Sequence, residues 1–127
     1  MAKVTRMHHS SVLVDDLARS RFFYEELLGL IVCPHRPQLK YDGIWYDLGE
    51  QQIHLLVLPS PETGLERPEH GGRDRHVALL VDDLDGMAAR LTENGVSFTR
   101  SHSGRKALFC RDPDGNAIEL IDQSIAV

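Results

Sequence analysis

The sequence lacks the marks of several common protein classes. It has no apolar run near the roughly 20 residues of a membrane span and no apolar leader segment, so we expect a cytoplasmic protein that does not interact with membranes. Cys33 and Cys110 are its only cysteines and form no CxxC-type pair, which argues against a redox motif or a zinc-thiolate site. The net charge is −5 and no basic run occurs, so nucleic acid is not an expected partner.

The chain does contain an internal repeat. The segment His9–Leu17, HSSVLVDDL, returns as HVALLVDDL at His76–Leu84, with six of nine positions identical. A second pair of segments, 47–55 and 112–120, shares an Asp, an Ile and a Leu at matching places. Such self-similarity is typical of a fold built by duplication.

The repeat defines the expected domain organisation. We expect one domain over residues 1–127, with modules at about 4–58 and 73–124 and a linker at about 59–72 that is rich in Pro, Gly and charge. The linker is long enough for the modules to pair within one chain or between two chains.

Each module has the pattern of a βαβββ unit, which predicts an α+β fold. An alternating strand is followed by Asp-Asp as a helix N-cap, and the helices are expected over about 17–28 and 84–94, each ending at a glycine. Three more β-rich segments close each module. They are expected at 30–33, 43–48 and 53–58 and at 97–101, 107–111 and 117–121.

Strand alternation places four polar residues at equivalent positions of the two modules. His9 and His76 begin the first strands, on the face opposite the more apolar one that should pack on the helices. His54 and Glu119 stand between apolar neighbours in the closing strands. A buried imidazolium or carboxylate costs several kcal/mol without a partner, so a shared cation explains all four.

The sequence therefore predicts a divalent metal site made of His9, His54, His76 and Glu119. Three imidazoles and a carboxylate suit Zn, Ni, Fe, Mn or Co. Of the remaining histidines, His102 is a candidate for a supporting or proton-transfer role. His8, His35 and His70 are expected in loops or on the surface.

The motifs resemble those of the vicinal oxygen chelate superfamily, which includes glyoxalase I, methylmalonyl-CoA epimerase, fosfomycin- and bleomycin-resistance proteins and extradiol dioxygenases. The resemblance covers essentially the whole chain. It rests on His9-x6-Asp16-Leu17-x2-Ser20-x2-Phe23-Tyr24-x3-Leu28-Gly29, Ile53-His54-Leu55, Arg75-His76-Val77-Ala78 and Asp112-Pro113-Asp114-Gly115-Asn116-x2-Glu119-Leu120.

The resemblance implies a curved eight-stranded mixed sheet with the helices on its outer face. It also implies a homodimer in which His9 and His54 of one chain meet His76 and Glu119 of the other. A fourth ligand at His54 is typical of the glyoxalase and epimerase branches, so the implied activity is a metal-dependent lyase or isomerase. Its small substrate would chelate the metal through vicinal oxygens, with Glu119 as the catalytic base.

Departures from the family patterns narrow this reading. Leu13 and Leu58 stand where bacterial glyoxalase I has the Arg and Asn that bind glutathione, and His54 replaces a Glu, which argues against the glutathione–methylglyoxal adduct as substrate. An extradiol dioxygenase is the first alternative, because the segment from His102 to Glu119 nearly matches that signature, with Phe109 in the place of its Tyr.

A metal-free protein that sequesters an aromatic ligand, of the bleomycin-resistance type, is the second alternative. Its cavity would stack the ligand against one of several aromatic residues: Tyr41, Trp45, Tyr46 and Phe109. Basic residues could frame the cavity for an anionic substrate, although solvated surface charge explains most of them. These are Arg36, Arg73, Arg75, Arg105 and Lys106.

Overall fold

The computed structural model describes residues 1–124 as two βαβββ modules in sequence. The first contains β1 (His9–Val14), α1 (Leu17–Arg21, continued by a π-helix over Phe22–Leu27), β2 (Ile31–Val32), β3 (Gly43–Leu48) and β4 (Gln51–Val57). A short 3-10 helix (Gly71–Arg73) lies in the linker. The second contains β5 (His76–Val81), α2 (Leu84–Glu93), β6 (Phe98–Arg100), β7 (Ala107–Arg111) and β8 (Ala117–Asp122).

The predicted α+β class and its eight strands are confirmed. Within the described residues the strands are hydrogen-bonded as two four-stranded sheets, in the orders β1-β4-β3-β2 and β5-β8-β7-β6. Each sheet is mixed, because its first strand runs parallel to the closing strand while the other neighbours are antiparallel. The two sheets thus repeat each other, as the duplicated sequence requires.

The helices begin where the Asp-Asp pairs predict. Asp16 accepts a hydrogen bond from the Arg19 amide at 3.1 Å, and Asp83 accepts one from the Gly86 amide at 2.9 Å, which satisfies amides that the first turn leaves free. The first helix differs from the expected α-helix over 17–28, because its second half is π-helical. Its Leu28 amide bonds the Phe23 carbonyl five residues back.

The two modules share one hydrophobic core on the helix-bearing faces of the sheets. Core residues come from both halves of the chain, among them Tyr24, Leu27, Leu91 and Leu108. Polar contacts also join the modules. The Tyr24 hydroxyl donates to Asp112 Oδ2 at 2.6 Å, and Arg90 Nη1 donates to the Leu27 carbonyl at 3.0 Å.

The opposite face of each sheet is the one that carries the predicted ligands. In β1, Val14 is buried whereas His9 and Ser11 are exposed, and in β5 the same alternation leaves His76 exposed and Leu80 61% exposed. The predicted strand parity is therefore confirmed. No helix in residues 1–124 combines the length and apolarity required to span a lipid bilayer.

Candidate metal centre

The first module brings His9 and His54 into contact. The β1–β4 pairing sets Ser11 opposite His54, so His9 is two residues away on the same face. The two imidazole rings stack with centroids 4.0 Å apart and an interplanar angle of 17°. Trp45 stacks on the other side of the His54 ring, also at 4.0 Å. His54 is consequently only 6% exposed, whereas His9 faces solvent.

Enclosure keeps the His54 ring neutral at physiological pH. Burial lowers the pKa of His54 from 6.5 to about 4, and the nearby charges of His9, His8 and Arg36 act in the same direction. A neutral imidazole is the form that binds a metal ion, so this environment removes proton competition at His54.

A hydrogen bond donated to Gln52 selects the nitrogen that His54 presents. His54 Nε2 lies 2.8 Å from Gln52 Oε1, and the Gln52 amide nitrogen donates to Asp47 Oδ1 at 3.0 Å. Because that second bond orients the amide with its oxygen toward the ring, Nε2 carries the hydrogen. The lone pair of the neutral ring is then on Nδ1.

The second module brings His76 and Glu119 together. Glu119 lies in β8 opposite Ala78 of β5 and Phe109 of β7, and it is only 3% exposed. His76 Nε2 is 3.4 Å from Glu119 Oε1, and the His76 ring packs edge-to-face on Phe109. The side chain of His76 is 26% exposed and that of Glu119 is 4% exposed, so solvent reaches the pair from the side of His76.

The tautomer of His76 is set by the linker. His76 Nδ1 lies 2.8 Å from the backbone carbonyl of Asp74, which can only accept, so Nδ1 carries a hydrogen. In the neutral ring, Nε2 then has a lone pair that faces Glu119 Oε1. Two acceptors at 3.4 Å repel each other unless a proton or a cation lies between them.

Asp74 is itself held by two arginines. Its Oδ2 accepts hydrogen bonds from Arg67 Nε and Arg111 Nη1, each at 2.8 Å. These ion pairs keep the pKa of the Asp74 carboxyl well below its usual range, chiefly through the bond from Arg67. These ion pairs fix the linker segment before β5 in the position where the Asp74 backbone carbonyl accepts a hydrogen bond from His76.

Glu119 has a second partner in Arg105. Arg105 Nη2 donates to Glu119 Oε2 at 2.9 Å, so each carboxylate oxygen faces a different side chain. The Arg105 side chain is 48% exposed, whereas Glu119 is buried. The buried negative charge is thus compensated from the solvent side.

The four predicted ligands therefore lie in two pairs, one on each sheet, with His9 beside His54 and His76 beside Glu119. Within residues 1–124 of one chain, no group of three or more His, Cys, Asp or Glu side chains is close enough to hold a metal ion. The donor types suit a borderline divalent metal, and the facing acceptors of the second pair would be satisfied by one. The four-residue site stays a prediction.

The other histidines, His8, His35, His70 and His102, lie outside the strands and helices, which agrees with the loop and surface positions expected for the first three. His102 stacks on His70 at 4.3 Å, and His70 Nδ1 contacts Thr99 Oγ1 at 2.7 Å. His8 precedes β1, so strand alternation does not fix its direction, and its Nδ1 lies 2.8 Å from Nδ1 of His9. Sequence reasoning missed the roles of Gln52 and Asp74, which no motif marks.

Most of the basic residues that the sequence suggested for substrate binding contact groups outside the candidate site. Lys106 pairs with Asp85 and Asp122, and Arg75 pairs with Glu62. Arg36 donates from Nη2 to the Tyr41 carbonyl at 2.8 Å, and Arg73 is exposed. Arg105 is the one member of this set that forms an ion pair with a predicted ligand in the part of the chain described.

Comparison with known proteins agrees with this architecture. Residues 6–120 match the family described as the Glyoxalase/Bleomycin resistance protein/Dioxygenase superfamily. The lactoylglutathione lyase of Salmonella typhimurium is 32% identical over 124 residues, which cover 92% of each chain. The uncharacterized protein YaeR of Escherichia coli is 31% identical over 130 residues, or 97% of this chain and all of that protein.

A solved structure shows the same fold. The trypanothione-dependent glyoxalase I of Leishmania major superposes with a TM-score of 0.71 and 28% sequence identity, over 95% of this chain and 88% of that protein.

Proposed function

The chain belongs to the glyoxalase/bleomycin resistance protein/dioxygenase superfamily, and from that premise we propose that it is a divalent-metal-dependent lyase or isomerase of the glyoxalase-like kind. Its substrate is a small molecule with two adjacent oxygen atoms. The lactoylglutathione lyases among its relatives support the lyase class.

The observation that carries the proposal is the pair formed by His76 and Glu119. The Asp74 carbonyl fixes the hydrogen of a neutral His76 ring on Nδ1, so the lone pair of Nε2 lies 3.4 Å from Glu119 Oε1. A divalent cation satisfies both atoms. The equivalent positions of the first module offer two further imidazoles, of which His54 is kept neutral by burial.

The division of the donors between two sheets bears on the oligomeric state. Because the pairs stay apart in one chain, we propose a homodimer in which His9 and His54 of one subunit join His76 and Glu119 of the other. On the donor-bearing faces the residues of the first strands, His9 and Ser11 in β1 and His76 and Leu80 in β5, are exposed and available for such pairing.

The residues divide the chemical work as follows. A bound divalent ion supplies Lewis acidity toward the two substrate oxygens. Glu119 is the proposed base, which takes a proton from the carbon beside those oxygens and returns it to product. Trp45 stacks on the His54 ring and covers one of its faces.

The test is the metal content of the purified protein together with its molar mass in solution. We expect about one Ni, Zn, Co or Mn ion per chain and a mass twice that of one chain. The variants His9→Ala and Glu119→Gln should lose the metal. His35→Ala should keep it, because His35 is exposed in the loop before β3.

Each alternative has its own outcome. Stoichiometric iron would favour the dioxygenase. A protein that binds no metal even after reconstitution would contradict the proposal and favour a sequestering protein that uses the Trp45 and His54 rings. Retention of metal by both ligand variants would show that the ion is bound elsewhere.

A further inference from the structure

Arg105 is placed to contact whatever binds beside Glu119. It lies in the loop that joins β6 to β7, and its Nη2 reaches Glu119 Oε2 at 2.9 Å. This is the only hydrogen bond that its side chain makes within residues 1–124, so most of its five N–H donors are free. The side chain is 48% exposed, on the open face of the sheet.

Neighbouring cations do not share this position. Lys106, the next residue, is held by Asp85 at 3.4 Å and Asp122 at 3.2 Å. Arg111 is held by Asp74 and by two backbone carbonyls. Of these three cations, only Arg105 forms an ion pair with a proposed metal ligand.

The first module has an arginine in the corresponding loop. Arg36 lies in the loop that joins β2 to β3, which corresponds to the β6–β7 loop. Its charge contributes to the lowered pKa of His54, the counterpart of Glu119. Its Nε is buried without a hydrogen-bond partner among the described residues. Each module thus has an arginine in the loop before its third strand, but Arg36 donates to the Tyr41 carbonyl whereas Arg105 contacts a predicted ligand.

Metal binding would change the charge balance around Arg105. A divalent ion bound at Glu119 Oε1 would leave Arg105 on Oε2, and the ion and the guanidinium together would carry more positive charge than one carboxylate balances, which is unfavourable in a partly buried place. An anionic group on the substrate restores the balance, and guanidinium binds carboxylate and phosphate oxygens with two parallel hydrogen bonds.

We propose that Arg105 selects substrates that carry an anionic group, a carboxylate or a phosphoryl group, beside the two metal-binding oxygens. This inference rests on the proposed function, because it assumes that a metal engages Glu119. It adds the substrate class, which the fold leaves open.

The test uses two probes that bind a metal through the same vicinal oxygens. Acetohydroxamate has no further charge, whereas succinomonohydroxamate carries a distal carboxylate. Their dissociation constants are measured by the visible spectrum of the cobalt-loaded protein. The comparison covers wild type, Arg105→Gln, Arg105→Lys and Lys106→Gln. The last variant is the control: it also removes one positive charge, but from a neighbouring side chain that pairs with Asp85 and Asp122.

We expect the carboxylate to strengthen binding about tenfold in wild type and in Lys106→Gln. The gain should fall below about twofold in Arg105→Gln and be intermediate in Arg105→Lys, which keeps the charge without the planar fork. The affinity for acetohydroxamate, in contrast, should change little.

An equal gain in wild type and Arg105→Gln, with cobalt bound to both, would overturn the role of Arg105 and leave the proposed function intact. A wild-type protein that binds no cobalt would overturn the proposed function first. Cobalt stoichiometry, measured on every sample, separates these two failures.

Discussion

The buried imidazole of His54 should make the stability of the metal-free protein depend on pH. Trp45 and His9 cover its ring, and burial is the main reason that its pKa falls from 6.5 to about 4. Between these values the unfolded chain binds a proton that the folded chain does not. The contribution of His54 to stability is therefore complete above about pH 6.5 and is lost as the pH falls toward 4.

The size of the effect follows from the two pKa values. At pH 7.5 neither state is appreciably protonated at this position. At pH 5 the unfolded state is almost fully protonated and the folded state is mostly neutral. The difference amounts to a loss of about 2 kcal/mol in the free energy of unfolding, a substantial part of the stability of a small domain.

Urea unfolding of the metal-free protein at pH 7.5 and pH 5 measures this loss. Other groups also titrate in this range, so the quantity to compare is the loss in wild type minus the loss in His54→Gln. We expect a difference of about 2 kcal/mol. His35→Gln, at an exposed loop position, should behave like wild type. Equal losses in wild type and His54→Gln would refute the argument that burial keeps His54 neutral.

Two further substitutions test the contacts that support the site. Tyr24→Phe removes the donor to Asp112 across the module boundary, and we expect it to destabilise the protein by about 2 kcal/mol in urea unfolding, because both groups are buried; an unchanged midpoint would contradict this. Asp74→Asn weakens the ion pairs that hold the carbonyl bonded to His76, so cobalt affinity should fall about tenfold. The surface variant Asp85→Asn should bind cobalt like wild type, and equal affinity in both variants would exclude this role for Asp74.

Much of the fold could be predicted because the same sequence pattern occurs in both halves of the chain. The Asp-Asp pairs predicted both helix starts, and the caps formed by Asp16 and Asp83 confirm them. The predicted strand at 30–33 shortens to Ile31–Val32, since this edge strand is paired on one side only and both residues are exposed. The π-helical half of α1 has no sequence signal, because helical spacing does not distinguish five-residue from four-residue hydrogen bonds.

The candidate site was partly predictable for a similar reason. Strand alternation assigns a side chain to a face, and together with the repeat it identified the four positions; the structure pairs His9 with His54 and His76 with Glu119, the grouping that the family resemblance implied. The contacts of Arg105 and Asp74 depend on how irregular loops fold back onto the strands. Alternation gives no information about such segments, so the sequence alone does not reveal these partners.

The packing of the two modules determines whether the His9–His54 pair and the His76–Glu119 pair can meet within one chain. Tyr24 and Asp112, and Arg90 with the Leu27 carbonyl, join the helix-bearing faces of the modules inside one chain. Because the helix-bearing face of each sheet packs in that core, the opposite, donor-bearing faces of the two sheets point away from each other and cannot form one site within the chain. The intramolecular core is therefore the physical reason to propose that a second subunit completes the four-residue site.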